Sequence, residues 1–117
     1  MELSVQDRNG VRLVSVAEAR IDALVAIRFK DRMREVTAPA PGDAPPARVL
    51  LDLSRVEFID SSGLGAIVAA MKQLDGASRL ELAGLTPAVE KVFRLTRMDT
   101  IFTIHDSVEH ALQERSA

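Results

Sequence analysis

Apolar positions along this chain change their spacing several times, and each change marks an expected element. Residues 3 to 16 read as two strands around Asp7-Arg8-Asn9-Gly10, since Asn-Gly is a strong hairpin turn signal and Val11, Leu13 and Val14 supply the second apolar run. From Asp22 to about Val36 the spacing becomes helical. Ile21, Leu24, Val25, Phe29, Met33 and Val36 form one stripe, with Arg28, Lys30, Asp31, Arg32 and Glu35 between them, so an amphipathic helix with one buried face is expected. Residues 38–47 then hold four of the five prolines. Proline removes backbone donors and biases its neighbours away from helix, which makes this segment a surface loop. A domain boundary there would leave two pieces, each short of a comfortable core.

Val49-Leu50-Leu51-Asp52-Leu53 is a nearly continuous apolar run of strand length, as expected for a central strand covered on both faces. After Phe58-Ile59 the chain reads Asp60-Ser61-Ser62-Gly63, then a helical pattern through Leu64, Ile67, Val68, Met71 and Leu74 that ends near Gly76. Leu80-Glu81-Leu82 has the alternation of a short strand. Thr86-Pro87 offers a cap and a first-turn proline to a helix carrying Val89, Val92 and Phe93. Ile101 to Ile104 reads as a last strand, and Asp106 or Ser107 can cap a final helix with Val108, Ala111 and Leu112. Strands alternating with helices predict an α/β domain: a mixed, mostly parallel sheet with an N-terminal antiparallel hairpin and about four helices.

Composition narrows the function. At 117 residues the chain fits one domain over 1–117, and 47% hydrophobic with 27% charged residues is ordinary globular usage. Without cysteine there is no disulfide framework, thiolate metal site or cysteine nucleophile. The N-terminal residues lack a basic start followed by an apolar core, and no run approaches the roughly 20 apolar residues of a membrane span, so a cytoplasmic protein without membrane insertion is expected. A net charge of −2, four Phe and neither Trp nor Tyr give no electrostatic footprint or stacking platform for nucleic acid. The expected partner is another protein.

The residues with chemical potential lie where the apolar strand gives way to a helix, at Asp60-Ser61-Ser62-Gly63. The first backbone N–H groups of a helix lack intrahelical partners and carry the positive end of the macrodipole, so a hydroxyl or phosphate there finds donors. The same chemistry makes Asp60, Ser61 or Ser62 a plain helix cap, and local chemistry alone leaves both roles open. A hydrolase nucleophile elbow requires Gly-x-Ser-x-Gly, whereas Ile59 stands in place of the first glycine. His105 and His110 are the only histidines, beside or within the expected last helix, and read as surface or helix-end residues. Gly63-Leu64-Gly65 lacks the Lys-Ser/Thr pair of a phosphate loop. The two glycines instead allow close approach of neighbouring elements or of a partner. Asp52 and Glu57 have no His or Cys cluster with them, so neither a metal nor a cofactor is expected.

Leu51-Asp52-Leu53 through Phe58-Ile59-Asp60-Ser61-Ser62-Gly63-Leu64-Gly65 resembles the signature of the STAS-domain anti-sigma-factor antagonists. The resemblance extends to Arg20-Ile21-Asp22-Ala23 before the first long helix and to Leu85-Thr86-Pro87-Ala88-Val89 with Phe93 downstream. It implies that Ser62, the second serine of the turn, is phosphorylated by a serine kinase that is also an anti-sigma factor. Asp60, Ser61, Gly63, Leu64 and Asp22 would join Ser62 in the partner-binding region. The implied cycle has the unphosphorylated chain binding the kinase and freeing a sigma factor, the phosphorylated chain letting go, and a PP2C-type phosphatase resetting it. The chain would be substrate rather than enzyme. The alternative is a STAS subunit of a lipid-transport ABC complex, whose same turn docks on the ATPase unmodified. Two departures bear on the partner: the long proline-rich loop, and Ala17-Glu18-Ala19 where the family carries a glycine.

Overall fold

The computed structural model describes residues 2–39, 41–74 and 76–113. Strands β1 (Leu3–Arg8) and β2 (Val11–Val16) form the expected hairpin, in which Arg8 pairs with Val11. Only Asn9 and Gly10 remain for the turn. Both take positive φ, at 53° and 78°, as a tight two-residue hairpin connection requires. A short strand β3 (Arg20–Ile21) leads into helix α1 (Ala23–Thr37), and the proline-rich loop then delivers β4 (Arg48–Asp52). Ala40, inside that loop, lies outside the described residues.

Next come β5 (Phe58–Ile59), helix α2 (Ser61–Leu74), β6 (Arg79–Ala83), helix α3 (Pro87–Leu95), a single 3-10 turn (Met98–Thr100), β7 (Thr103–His105) and helix α4 (Val108–Gln113). The main sheet has the order β1-β2-β4-β6-β7, antiparallel at the hairpin and parallel elsewhere, while β3 and β5 form a separate parallel pair. β4 therefore lies at the centre, as its unbroken apolar run predicts. Alternation along the strands divides the core in two. Val14, Val16, Val49, Leu51 and Leu82 pack with Phe29, Met33, Leu64, Ile67, Val89 and Phe93 of α1, α2 and α3. Val11, Leu13, Leu50 and Ala83 meet Ala111 of α4 on the opposite face.

Three expectations are corrected. The last strand starts at Thr103 rather than Ile101, because the N–H groups of Ile101 and Phe102 both donate to Met98 O and extend the 3-10 turn. Thr86 does stand at the N-cap of α3 before Pro87, and its carbonyl accepts from Glu90 N–H at 2.8 Å, but its hydroxyl donates to Val56 O at 2.8 Å and makes no cap bond. In α1 the buried residues are Ala26, Phe29, Met33 and Thr37. Leu24, assigned to the buried stripe from its spacing, lies five positions before Phe29 and so points away from the core, 86% exposed.

Candidate functional site

The Asp60 turn is built from two strand–helix junctions side by side. Parallel pairing matches Arg20 with Phe58 and Ile21 with Ile59, so Asp22 and Asp60 follow as neighbours and α1 and α2 begin together. Each aspartate opens its helix. Asp22 Oδ1 accepts from the N–H of Leu24 at 3.1 Å and of Val25 at 3.3 Å. Asp60 Oδ1 accepts from Gly63 N–H at 2.9 Å, and its carbonyl accepts from Leu64 N–H at 2.9 Å. Asp60 is therefore the cap of α2.

That assignment resolves the ambiguity among the three polar residues. Ser61 and Ser62, on the first turn of α2, are exposed, and neither hydroxyl makes a hydrogen bond among the described residues. Gly63 and Leu64 are buried, so any part they take in partner contact is to hold the turn. A Cβ on Gly63 would sit 2.1 Å from Ile21 O and 2.8 Å from Ile59 Cγ1, which makes glycine a condition for seating α2 on β3. Gly65 differs: a Cβ there would meet nothing within 4 Å, so it serves no close approach inside the chain. On the outer side of the junction Arg20 Nε donates to Asp22 Oδ2 at 3.4 Å while its guanidinium carbon lies 4.2 Å from the centre of the Phe58 ring.

A family model for the STAS domain matches residues 2–111. The chain belongs to the STAS domain family. It is 28% identical over 110 residues to the anti-sigma-F factor antagonist RsfB of Mycobacterium tuberculosis, covering 94% of this chain and 85% of RsfB. It is 38% identical over 68 residues to a TM1081 homologue of Thermotoga neapolitana, classed with anti-sigma factor antagonists; that match spans 57% of this chain and 60% of the relative's length. The crystal structure of an anti-sigma factor antagonist from Mycobacterium paratuberculosis superposes with a TM-score of 0.79 at 29% identity, covering 95% of this chain and 90% of that one.

Elsewhere in this STAS domain lies a polar cluster that sequence reasoning missed. Glu81 sits in β6 at 1% exposure, a burial that the alternation of Leu80-Glu81-Leu82 does not foretell. Its carboxylate accepts from Arg48 Nη2 at 2.6 Å and Nε at 3.1 Å, from Arg79 Nε at 2.6 Å, and meets His105 Nε2 at 2.8 Å. Arg48 also donates to Ala111 O at 3.1 Å, which ties α4 to the sheet. Burial pushes the Glu81 carboxyl up, but the bonds from Arg48, His105 and Arg79 outweigh it and bring its pKa from 4.5 down to about 2.

His105 is thus a buried core residue, not the surface residue expected from its place near a helix end. It shares the α4 face of the sheet with Ala83, its register partner, whereas α2 packs on the other face. The sheet stands between His105 and Ser62, so this histidine is no base for a serine nucleophile. His110 is exposed on α4, where Ser107 Oγ accepts from its N–H at 3.0 Å; Ser107 is the cap there. Asp52 Oδ1 is taken by Ser54 N–H at 3.0 Å, at the rim of a cleft of about 490 Å³ that Ser54, Gly84, Asp106 and Glu109 also line.

Proposed function

We propose that this chain is an anti-sigma-factor antagonist that works by partner switching, with Ser62 as the residue phosphorylated by a serine kinase acting as the anti-sigma factor. One observation carries this: Asp60 caps α2, so the exposed Ser62 hydroxyl on the first helical turn has no structural task. A cap hydroxyl would have to give up its bond before transfer. Ser62 has none to give up.

The same position suits the product. Phosphorylation adds about −1.5 to −2 charges and three acceptor oxygens. Orphan N–H groups and the dipole of α2 favour an anion at this point, so the fold accommodates the phosphate locally. A kinase packed closely over the turn meets new charge and new bulk, and its complex weakens. The chain supplies an acceptor hydroxyl and a docking face rather than a catalytic apparatus. A PP2C-type phosphatase returns it to the binding state. Ser61, Asp60 and Asp22 shape the rim of the contact, while Gly63 and Leu64 fix it from beneath. No helix among the described residues is long and apolar enough to cross a membrane.

The experiment is a calorimetric titration of an anti-sigma serine kinase from the same organism with wild type, Ser62→Ala and Ser62→Asp. Ser62→Ala should bind like wild type and Ser62→Asp markedly more weakly. Equal affinity of all three would refute the switch.

A further inference from the structure

The most exposed apolar side chains of this STAS domain include two on one side of α1: Leu24 at 86% and Ile27 at 65% exposure. Residues three apart on a helix share a face, so the two form one ridge. Arg28 and Asp31, also exposed, continue it with charge.

Register fixes where this ridge stands. Because Ile21 pairs with Ile59 and each helix begins one residue after an aspartate that follows this pair, Leu24 stands level with Ser62 and Ile27 level with Gly65. The lateral position follows from the far ends of the helices, where Arg34 and Thr37 of α1 share a cleft with Gln73 and Leu74 of α2. Ile27 lies two turns before Arg34 and Ser62 three turns before Gln73, so each lies on the edge of its helix that faces the other. Neighbouring helix axes are about 8–10 Å apart. A specific partner covers about 800 Å² of its target, a patch roughly 16 Å in radius, so a protein centred on Ser62 also covers Leu24 and Ile27.

We propose that Leu24 and Ile27 are the apolar anchor by which the kinase that phosphorylates Ser62 selects this chain. The inference rests on the Ser62 reading. It adds a division of labour: Ser62 carries the chemistry and the α1 ridge carries recognition. Leaving Leu24 and Ile27 in water gains the free domain nothing. Burial against a partner takes their apolar surface out of water and so favours the complex.

The test uses the full chain, an anti-sigma serine kinase from the same organism and ATP, with phosphate incorporation followed by intact mass. Leu24→Ser/Ile27→Ser should raise the KM about tenfold or more while leaving kcat and the melting temperature near wild type. Leu24→Met/Ile27→Leu should restore the KM, and Val5→Ser, which removes an exposed apolar residue of β1, should not change it. A wild-type KM for the serine double variant overturns the anchor and leaves Ser62 as the acceptor. No phosphate on the wild type overturns both. A wild-type dimer in sedimentation that the serine variant dissociates, with KM unchanged, assigns the ridge to a second copy and overturns the kinase assignment.

Discussion

Two polar regions lie on opposite faces of one sheet and use their hydrogen-bonding groups in opposite ways. Around Glu81 the carboxylate is buried and engaged by Arg48, Arg79 and His105. Around Ser62 the one demanding group, the Asp60 carboxylate, is satisfied within the turn, and two hydroxyls are left open to solvent. Burial raises the cost of an unsatisfied polar group, so a buried cluster must be complete to exist at all. At the surface an unbonded hydroxyl costs little. It can therefore be kept for a partner.

The contrast should appear first and most strongly in stability. Glu81→Ala removes the shared acceptor and leaves the buried Arg48 guanidinium without its carboxylate, and loss of one partner from a buried ion pair costs about 3–5 kcal/mol. Urea denaturation should show this, with kinase binding per folded molecule unchanged. Acid should act in the same direction. With the folded pKa at about 2 against 4.5, the stabilisation from Glu81 is complete above the ordinary carboxylate range and is lost as pH falls through about 2.

The glycines of the turn give the next largest separation. Gly63→Ala places a methyl group 2.1 Å from Ile21 O, so the loss should reach or exceed the upper end of the about 1–3 kcal/mol usual for overpacking. Gly65→Ala meets nothing and should stabilise α2 by up to about 1 kcal/mol. Thermal melts of the pair check both signs. Equal effects would mean that α2 does not sit on β3 as described.

The smallest effects belong to the Asp60 turn. Asp60→Ala should cost about 1 kcal/mol, the usual value of a helix cap. Ser62→Ala should stay within about 0.5 kcal/mol of wild type, as for a surface residue without a bond. If Ser62→Ala proved the more costly of the two, Ser62 would be the structural residue and the comparison would invert.

Sequence legibility divides along the same line. The hairpin at Asn9-Gly10, the apolar centre at β4 and the strand–turn–helix at Asp60 are local signals, and each is present in the fold. The burial of Glu81 is not legible because two of its three partners come from β4, 33 positions earlier, and β7, 24 positions later, and the alternation of one strand carries no trace of them. Arg48, at the start of β4, gave no sign of its role for the same reason. Apolar spacing puts Leu24 in the buried stripe because it records hydrophobicity, not which side of a helix meets the core. At the turn, Asp, Ser and Ser are all good caps, so sequence alone could not say which one does the capping. The structure settles it through the bond from Gly63 N–H to Asp60 Oδ1.

The central claim is that Ser62 is the acceptor of a phosphoryl group. Incubating the wild-type chain and Ser62→Ala with an anti-sigma serine kinase from the same organism and ATP, then mapping phosphate by peptide mass spectrometry, tests it most directly. The account predicts one phosphate on Ser62 of the wild type and none on the variant. Phosphate on Ser61 in the wild type, or equal incorporation into Ser62→Ala, would contradict it.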